Sequence, residues 1–221
     1  MLNDAGASGP TPLPRHWARP PGLNEPAPEF RAPSTLGEVG LEDFAGRWLV
    51  FFSHPADFTP VCSTELVAFA RAYADFQAEE CDLLGLSVDG LASHAAWLAE
   101  LERFGGVRIP FPIIADEGLH VARLYGMIQP GESDVRAVRS VFVIDPDGRV
   151  RATLAYPIPT GRDVAELLRL VRALRASAEH QVATPEGWQP GDAALEPTPP
   201  RPAAADATPS GGLWYVRERP L

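Results

Sequence analysis

A short apolar run followed by a helical pattern of apolar residues constrains the fold of this chain most strongly. The run Trp48–Phe52 has the length and the aromatic and β-branched content of a buried strand. From Cys62 to Phe76, apolar side chains recur every three or four residues, which is typical of one face of a helix. Cys62 therefore lies where a strand is followed by a helix, in or next to the first helical turn.

The start of a helix changes the chemistry of a cysteine. Free backbone N–H groups and the positive end of the helix dipole collect there, and they favour a thiolate. Pro55 and Pro60 bracket the approach, and Pro60 suits a first helical turn because its missing N–H would have no helical partner. A buried structural thiol is the common alternative for a free cysteine. The hydroxyl of Thr59 and the carboxylate of Glu65 near Cys62 favour a reactive one.

The rest of the chain continues the alternation of strands and helices. A helix capped by Ser93 is expected between two further strands, and Pro146-Asp147-Gly148 marks the turn of a hairpin. The predicted segments after Cys62 are strands at 82–89 and 111–116, a short helix at 120–125, hairpin strands at 140–145 and 149–156, and a helix at 162–176. This order predicts an α/β fold with a mixed central sheet and helices on both faces.

Composition divides the chain into three parts. Residues 1–21 are rich in Pro, Gly and Ala without periodicity, which indicates a mobile arm. Residues 22–177 carry the alternating pattern of a single domain. Residues 178–221 return to Pro, Ala and Gly but keep Trp188 and the pair Trp214-Tyr215. Disordered tails seldom carry such aromatics, so we expect an ordered extension there.

Charge and cysteine usage exclude several classes of function. The net charge is −10 and every basic residue is Arg, without a basic cluster, which argues against nucleic acid and anionic membranes as partners. No apolar run approaches the ~20 residues that span a bilayer, and no secretory signal is recognised, so we expect the cytoplasm. Two cysteines without Cys-x-x-Cys spacing argue against a zinc site or a dithiol. His94, His120 and His180 show no metal spacing and are expected to be solvated.

Residues 52–65, FSHPADFTPVCSTE, resemble the active-site signature of peroxiredoxins, the thiol-dependent peroxidases. His54 and residues 182–192 resemble the one-cysteine branch of that family, which has a C-terminal extension. The resemblance runs from about Leu23 to the end of the chain. It implies a thioredoxin-like fold, no metal or prosthetic group, and a homodimer in which residues 178–221 pack on the partner subunit. Rings of such dimers are a further assembly that the resemblance allows.

The resemblance also implies a catalytic set. The family's Pro, Thr, Cys and Arg match Pro55, Thr59, Cys62 and Arg139. Cys62 would attack a peroxide oxygen and become a sulfenic acid. Arg139 would hold the thiolate and polarise the peroxide, Thr59 would complete the pocket, and Pro55 would shield it from water. If the strand after Arg139 is antiparallel, its start returns to the sheet edge where Cys62 lies.

Three further residues are expected to support this set, and each has an alternative role. Glu65 orients an arginine, or merely favours the helix dipole. His54 hydrogen-bonds an oxidised sulfur, or packs in the core. Arg162 faces the thiolate as a second guanidinium, or pairs with an acidic neighbour. Likewise, Thr59 on its own is compatible with a helix cap, and Arg139 with a surface charge.

Cys81 is not expected to resolve oxidised Cys62. The intervening helix separates the two by roughly 25 Å at ~1.5 Å per residue, whereas a disulfide needs Cα atoms within ~7 Å. Turnover should therefore use an external thiol, such as thioredoxin, glutathione or a small dithiol. A peroxide sensor or redox-switched chaperone on the same fold is the alternative function. Some relatives hydrolyse phospholipids through a Gly-x-Ser-x-Gly sequence, which this chain lacks.

Overall fold

The computed structural model describes residues 19–197 and 216–221. The strands are β1 (Arg31–Ser34), β2 (Gly37–Gly40), β3 (Trp48–Ser53), β4 (Cys81–Ser87), β5 (Ile113–Ala115), β6 (Arg139–Ile144), β7 (Val150–Tyr156), β8 (Ala194–Leu195) and β9 (Glu218–Arg219). The helices are a 3-10 helix (Leu41–Phe44), α1 (Pro60–Ala78), α2 (Leu91–Gly105), α3 (His120–Leu124) and α4 (Val164–His180).

Seven strands form one mixed sheet in the order β2-β1-β5-β4-β3-β6-β7. In its centre β3 runs parallel to β4, and β4 runs parallel to β5. On the other side β6 is antiparallel to β3 and forms a hairpin with β7. The predicted mixed sheet is therefore confirmed. Because β6 runs against β3, the start of β6 lies beside the end of β3, where the loop to α1 begins.

Alternation along β3 creates two separate apolar layers. Val50 and Phe52 point to one side of the sheet, where α1, α2 and α4 cover them. Leu49 and Phe51 point to the other side, where α3 and the segment from Ala27 to Leu41 pack. Helices thus lie on both faces, as the sequence predicts.

The largest differences between the expected and the observed elements lie in three places. The short hairpin of β1 and β2 was not predicted, since its eight residues include Pro33, Gly37 and Gly40 and lack an apolar run. Gly90, not Ser93, precedes α2, so the prediction of Ser93 as the cap is wrong. The last helix continues to His180, one turn beyond the predicted end.

Two expectations fall largely outside the described residues. Residues 1–18 of the expected N-terminal arm and residues 198–215 of the expected extension, with Trp214 and Tyr215, are not described. Within the extension, residues 194–195 pair with residues 218–219 as a small antiparallel sheet. In the described ranges no helix is both long enough and apolar enough to cross a bilayer.

Candidate active site

Cys62 is the third residue of α1, which begins at Pro60. Thr59 has the extended backbone of a residue that precedes a helix, with φ −108° and ψ 145°. Its hydroxyl does not cap the helix but donates to the carbonyl oxygen of Ala56 at 2.9 Å. The Thr59 carbonyl instead accepts from the backbone N–H of Ser63 at 3.0 Å, which fixes the first turn around Cys62. The Cys62 side chain itself is 0% exposed.

A guanidinium lies against the sulfur. Arg139 is the first residue of β6, and its Nη1 donates to Cys62 Sγ at 3.3 Å. The same nitrogen donates to Glu65 Oε2 at 2.6 Å, while Arg139 Nε donates to the carbonyl oxygen of Ile158 at 2.9 Å. Arg139 is 2% exposed. Arg139 therefore places a charged hydrogen-bond donor directly on the buried sulfur.

Glu65 holds a second guanidinium next to the first. Glu65 Oε1 accepts from Arg162 Nε at 2.9 Å and from the Arg162 backbone N–H at 2.8 Å, and Oε2 accepts from Nη2 at 2.9 Å. Arg162 Nη1 also donates to the carbonyl oxygens of Ser53 and Ser140, at 2.9 and 3.0 Å. The end of β3, the start of β6 and the loop before α4 are therefore tied together at one point.

The charges in this group stabilise one another despite burial. Burial by itself would raise the pKa of Glu65, but the hydrogen bonds and charge of Arg162, with the charge of Arg139, lower it below the usual value. Burial lowers the pKa of Arg162, and the contact with Glu65 opposes that effect. The carboxylate therefore keeps two cations in place beside Cys62, and of these Arg139 contacts the sulfur.

A second buried group joins the loop between β3 and α1 to the start of α2. His54 Nε2 lies 3.1 Å from Asp57 Oδ1, and His94 Nδ1 lies 2.8 Å from Asp57 Oδ2. Ser93 donates its hydroxyl to the same Oδ2 at 2.8 Å. The expectation that His94 is solvated is wrong, since its side chain is 0% exposed. His120 and His180 are exposed, as expected.

Sequence reasoning missed Asp57 and His94, although one signal was available. His94, Trp97 and Leu101 are spaced by three and four residues, so they share the buried face of α2. A histidine on the same helix face as Trp97 and Leu101 is predicted to be buried. Its partner Asp57, which lies 37 positions earlier in the chain, could not be found from that spacing.

His54, Asp57 and Asp89 could supply ligands to a metal ion, since their ligand atoms lie within 4.8 Å of one another. Both oxygens of Asp57 and one oxygen of Asp89 already accept hydrogen bonds, although His54 Nδ1 has no partner among the described residues. The backbone N–H of Asp57 donates to Asp89 Oδ2 at 2.9 Å, and the hydroxyl of Ser87 donates to the same oxygen at 2.8 Å. The three side chains fit a hydrogen-bond network better than a metal site.

The remaining predicted residues are placed as follows. Pro55 is buried in the loop between β3 and α1, four residues before Thr59. Beside that loop a cavity of about 340 Å³ opens, and its lining residues are Phe58, Thr59, Pro60, Ser63, Trp97, Glu100 and Leu101. Thr59 thus connects an open cavity with the turn that carries Cys62.

Cys81 lies at the other end of the sheet. It is the first residue of β4 and is paired in register with Trp48, the first residue of β3. Cys62 follows the far end of β3, and both cysteines are free. Burial, with the charge of Asp82, raises the pKa of Cys81 to about 12. Cys81 is therefore a packed thiol with no route to Cys62 in this fold.

Comparison with known proteins agrees with this arrangement. Residues 23–153 match the model of the AhpC/TSA family, and residues 173–208 match that of the C-terminal domain of 1-Cys peroxiredoxin. A peroxiredoxin of Aquifex aeolicus is 52% identical over 171 residues, covering 77% of each chain. Peroxiredoxin 2 of Thermoplasma acidophilum is 43% identical over 198 residues, covering 88% of this chain and 98% of the relative.

Solved structures show the same fold. Peroxiredoxin 6 of Arenicola marina superimposes with a TM-score of 0.80 at 37% identity, covering 90% of this chain and 97% of that one. A yeast mitochondrial 1-Cys peroxiredoxin gives a TM-score of 0.75 at 40% identity, covering 80% of this chain and 86% of that one. The mixed sheet with its helices is therefore the thioredoxin-like fold of these proteins, and the chain belongs to the AhpC/TSA family as a peroxiredoxin, a thiol-dependent peroxidase.

Proposed function

We propose that Cys62 is the residue that reduces the peroxide, and that hydrogen peroxide and small organic hydroperoxides are its substrates. The observation that carries this proposal is the 3.3 Å contact between Arg139 Nη1 and Cys62 Sγ inside a buried site. The thiolate forms an S–O bond with the terminal peroxide oxygen while the O–O bond breaks. Cys62 becomes a sulfenic acid, and the departing hydroxide or alkoxide takes up a proton to leave as water or alcohol.

Arg139 stabilises the charge that moves during this step. Negative charge passes from the sulfur to the departing oxygen, and a fixed cation beside the sulfur attracts it throughout. Glu65 and Arg162 hold Arg139 in place, because Glu65 bridges the two guanidiniums. They are supporting residues rather than groups that touch the peroxide.

Thr59 and Pro55 shape the approach of the peroxide. The Thr59 hydroxyl uses its proton toward Ala56, so its oxygen lone pairs remain available to accept the O–H of the substrate. Pro55 carries no N–H and is buried, which keeps water away from the loop. His54 is proposed to accept a hydrogen bond from the sulfenic acid, since its buried Nδ1 has no partner among the described residues.

An external thiol is proposed to restore Cys62. The buried position of Cys81 at the opposite end of β3 and β4 supports this step, because no second cysteine lies near the sulfur. In the yeast mitochondrial 1-Cys peroxiredoxin, the thiol is resolved through glutathione and thioredoxin systems. We propose the same classes of reductant here, together with small dithiols. Two free thiols also fit a reducing compartment such as the cytoplasm.

A homodimer is the proposed assembly. The match of residues 173–208 to the C-terminal domain of 1-Cys peroxiredoxin supports a role for the extension in packing on a partner subunit. Trp188, which is 4% exposed, anchors the described part of the extension against its own subunit, where its carbonyl accepts from Arg169 Nη1 at 3.2 Å.

Peroxide consumption coupled to thioredoxin, glutathione or dithiothreitol tests the proposed activity. Continuous turnover with one of these thiols is the expected result. A single round of oxidation, with no further peroxide consumed in the presence of all three donors, would contradict the enzyme and favour the sensor.

A further inference from the structure

Asp57 joins two histidines that belong to different parts of the chain. It lies in the loop before α1, and both of its carboxylate oxygens are occupied, one by His54 and the other by His94 and Ser93. The side chains of His54 and His94 are 0% exposed, and that of Asp57 is 1% exposed. An aspartate with three hydrogen-bond donors around it is held as a carboxylate, so it accepts from each of them.

His94 is surrounded by acceptors. Its Nδ1 lies 2.8 Å from Asp57 Oδ2, and its Nε2 lies 3.3 Å from the carbonyl oxygen of Ile114 in β5. A neutral imidazole has one N–H and can satisfy one of these acceptors, whereas an imidazolium satisfies both. The geometry therefore assigns a proton to each nitrogen of His94 and a positive charge to its ring.

His54 is in the opposite situation. Its Nε2 faces the Asp57 carboxylate, so that nitrogen carries the proton. Its Nδ1 is buried and has no partner in the described part of the chain. A proton there would be a buried donor without an acceptor, which costs roughly 1–3 kcal/mol. His54 is thus neutral, with a bare lone pair on Nδ1.

We propose that His94 is a positioning residue of the peroxidase reaction. As a cation it neutralises the charge of the Asp57 carboxylate, and Asp57 in turn holds His54 in the tautomer that has a lone pair at Nδ1. This inference rests on the proposed function of Cys62 and His54. A lone pair can accept the O–H of a sulfenic acid, whereas an N–H cannot. His94 acts through Asp57 and His54 and does not touch the reacting atoms.

The charged groups around the two rings support this assignment. Burial lowers the pKa of His94, but the contact with Asp57 and the charge of Asp89 raise it above the usual value overall. Burial lowers the pKa of His54, and the positive charges of His94 and Arg162 lower it slightly further. Together these effects outweigh the contact with Asp57, which would raise the pKa. His94 therefore keeps its second proton while His54 does not take one.

The first test needs no variant. Long-range ¹H–¹⁵N spectra of the imidazole groups in the full-length protein report which ring nitrogens carry protons. Between pH 6 and 8 we expect both nitrogens of His94 to be protonated, and His54 to be protonated at Nε2 alone. A neutral His94, or a proton on His54 Nδ1, would overturn the proposal. This readout does not depend on whether Cys62 reduces peroxide.

The second test removes the charge of His94 but keeps a donor to Asp57. In His94→Asn the amide NH₂ can replace Nδ1–H, while the carboxylate loses its cation, so the pKa of His54 should rise. The O–H that His54 accepts belongs to the oxygen that the sulfur takes from the peroxide, so a protonated His54 lacks this acceptor during the step. Stopped-flow oxidation by hydrogen peroxide, followed by tryptophan fluorescence, should then slow by up to about tenfold as the pH falls from 8 to 6, relative to wild type. The loss should be recovered at the alkaline end, where His54 is neutral again.

His120→Asn is the matched control, because His120 is exposed on α3, and its pH profile should follow that of wild type. If His94 served packing alone, His94→Asn would slow oxidation by one factor at every pH and leave the spectrum of His54 unchanged. Either result would refute the positioning role. Loss of peroxide reduction in Cys62→Ser tests the proposed function separately, since that variant keeps both histidines.

Discussion

Arg139 and Cys62 lie 77 positions apart in the chain, yet the guanidinium Nη1 of Arg139 is 3.3 Å from the sulfur. The contact exists because β6 is antiparallel to β3, so the first residue of β6 meets the loop that follows β3. Glu65, one turn along the helix from Cys62, accepts from the same guanidinium nitrogen at 2.6 Å. The sulfur, the cation and its carboxylate thus form one buried unit.

The two cysteines should differ completely in their effect on activity. Cys62→Ser is expected to abolish peroxide reduction, because the hydroxyl is a far weaker nucleophile than a thiolate. Cys81→Ser should retain most of the wild-type turnover, since Cys81 is buried at the other end of the sheet. Peroxide consumption with excess dithiothreitol measures both. Turnover by Cys62→Ser would refute the mechanism, and loss of turnover in a folded Cys81→Ser would reveal a redox role for that thiol.

Loss of Arg139 should slow the oxidation of Cys62. Removing one fixed donor to the moving charge costs on the order of 10²- to 10³-fold in rate in comparable sites. Stopped-flow oxidation of Arg139→Ala measures this directly. Arg151→Ala on β7 is the matched control, since Arg151 is exposed and pairs with Asp145 away from the sulfur. An unchanged rate in Arg139→Ala would remove Arg139 from the reaction.

Substitutions of Thr59 can separate the effect of its hydroxyl from the effect of its side-chain volume. Thr59→Val keeps the volume but loses the hydroxyl, and we expect a decrease of roughly 10- to 100-fold in the second-order rate constant for hydrogen peroxide. Thr59→Ser keeps the hydroxyl and should retain most of the rate. Equal rates in the two variants would show that the hydroxyl contributes neither to peroxide binding nor, through its bond to Ala56, to an active loop conformation.

Glu65 should make the fold sensitive to acid. The pKa of Glu65 is lower in the folded protein than in the unfolded chain, where it is near 4.5. The carboxylate therefore stabilises the fold fully above pH 4.5, and this stabilisation is lost as the pH falls through the folded-state pKa. Glu65→Gln leaves two buried guanidiniums without a counter-charge and should cost about 3–5 kcal/mol at pH 7.

Denaturant unfolding at several pH values measures this contribution. The difference between wild type and Glu65→Gln should be constant near neutrality and should shrink as the pH falls below about 4.5. The pKa of Asp57 is also lowered, but Asp57 is present in both proteins and cancels in the difference. A difference that does not change down to strongly acidic pH would contradict the role of the carboxylate charge.

The assembly can be tested independently of catalysis. Light scattering of the full chain should give the mass of a dimer or of a multiple of dimers. A chain shortened to residues 1–181, which keeps α4 whole, tests whether the extension contributes, and it should shift toward the monomer. A full-length monomer would contradict the proposed role of residues 178–221.

Local patterns were sufficient for much of the fold. The apolar run at Trp48 and the helical spacing after Cys62 predicted a strand, a loop and a helix at nearly their observed bounds, because both depend on near neighbours in the chain. The turn Pro146-Asp147-Gly148 likewise predicted the β6–β7 hairpin. The length and residue types of the motif around Cys62 are sufficient to indicate the family from the sequence alone.

The contacts of the site were decided by the order of the strands, which short-range periodicity does not encode. The strand order of the sheet is what brings Arg162 to Glu65, to the carbonyl oxygen at the end of β3 and to the one at the start of β6. Only the packing of α2 against the loop before α1 brings His94 to Asp57. These pairs are distant in sequence and polar, so no hydrophobic pattern marks them. These contacts form because the packing of the two apolar layers determines which strand ends lie next to each other.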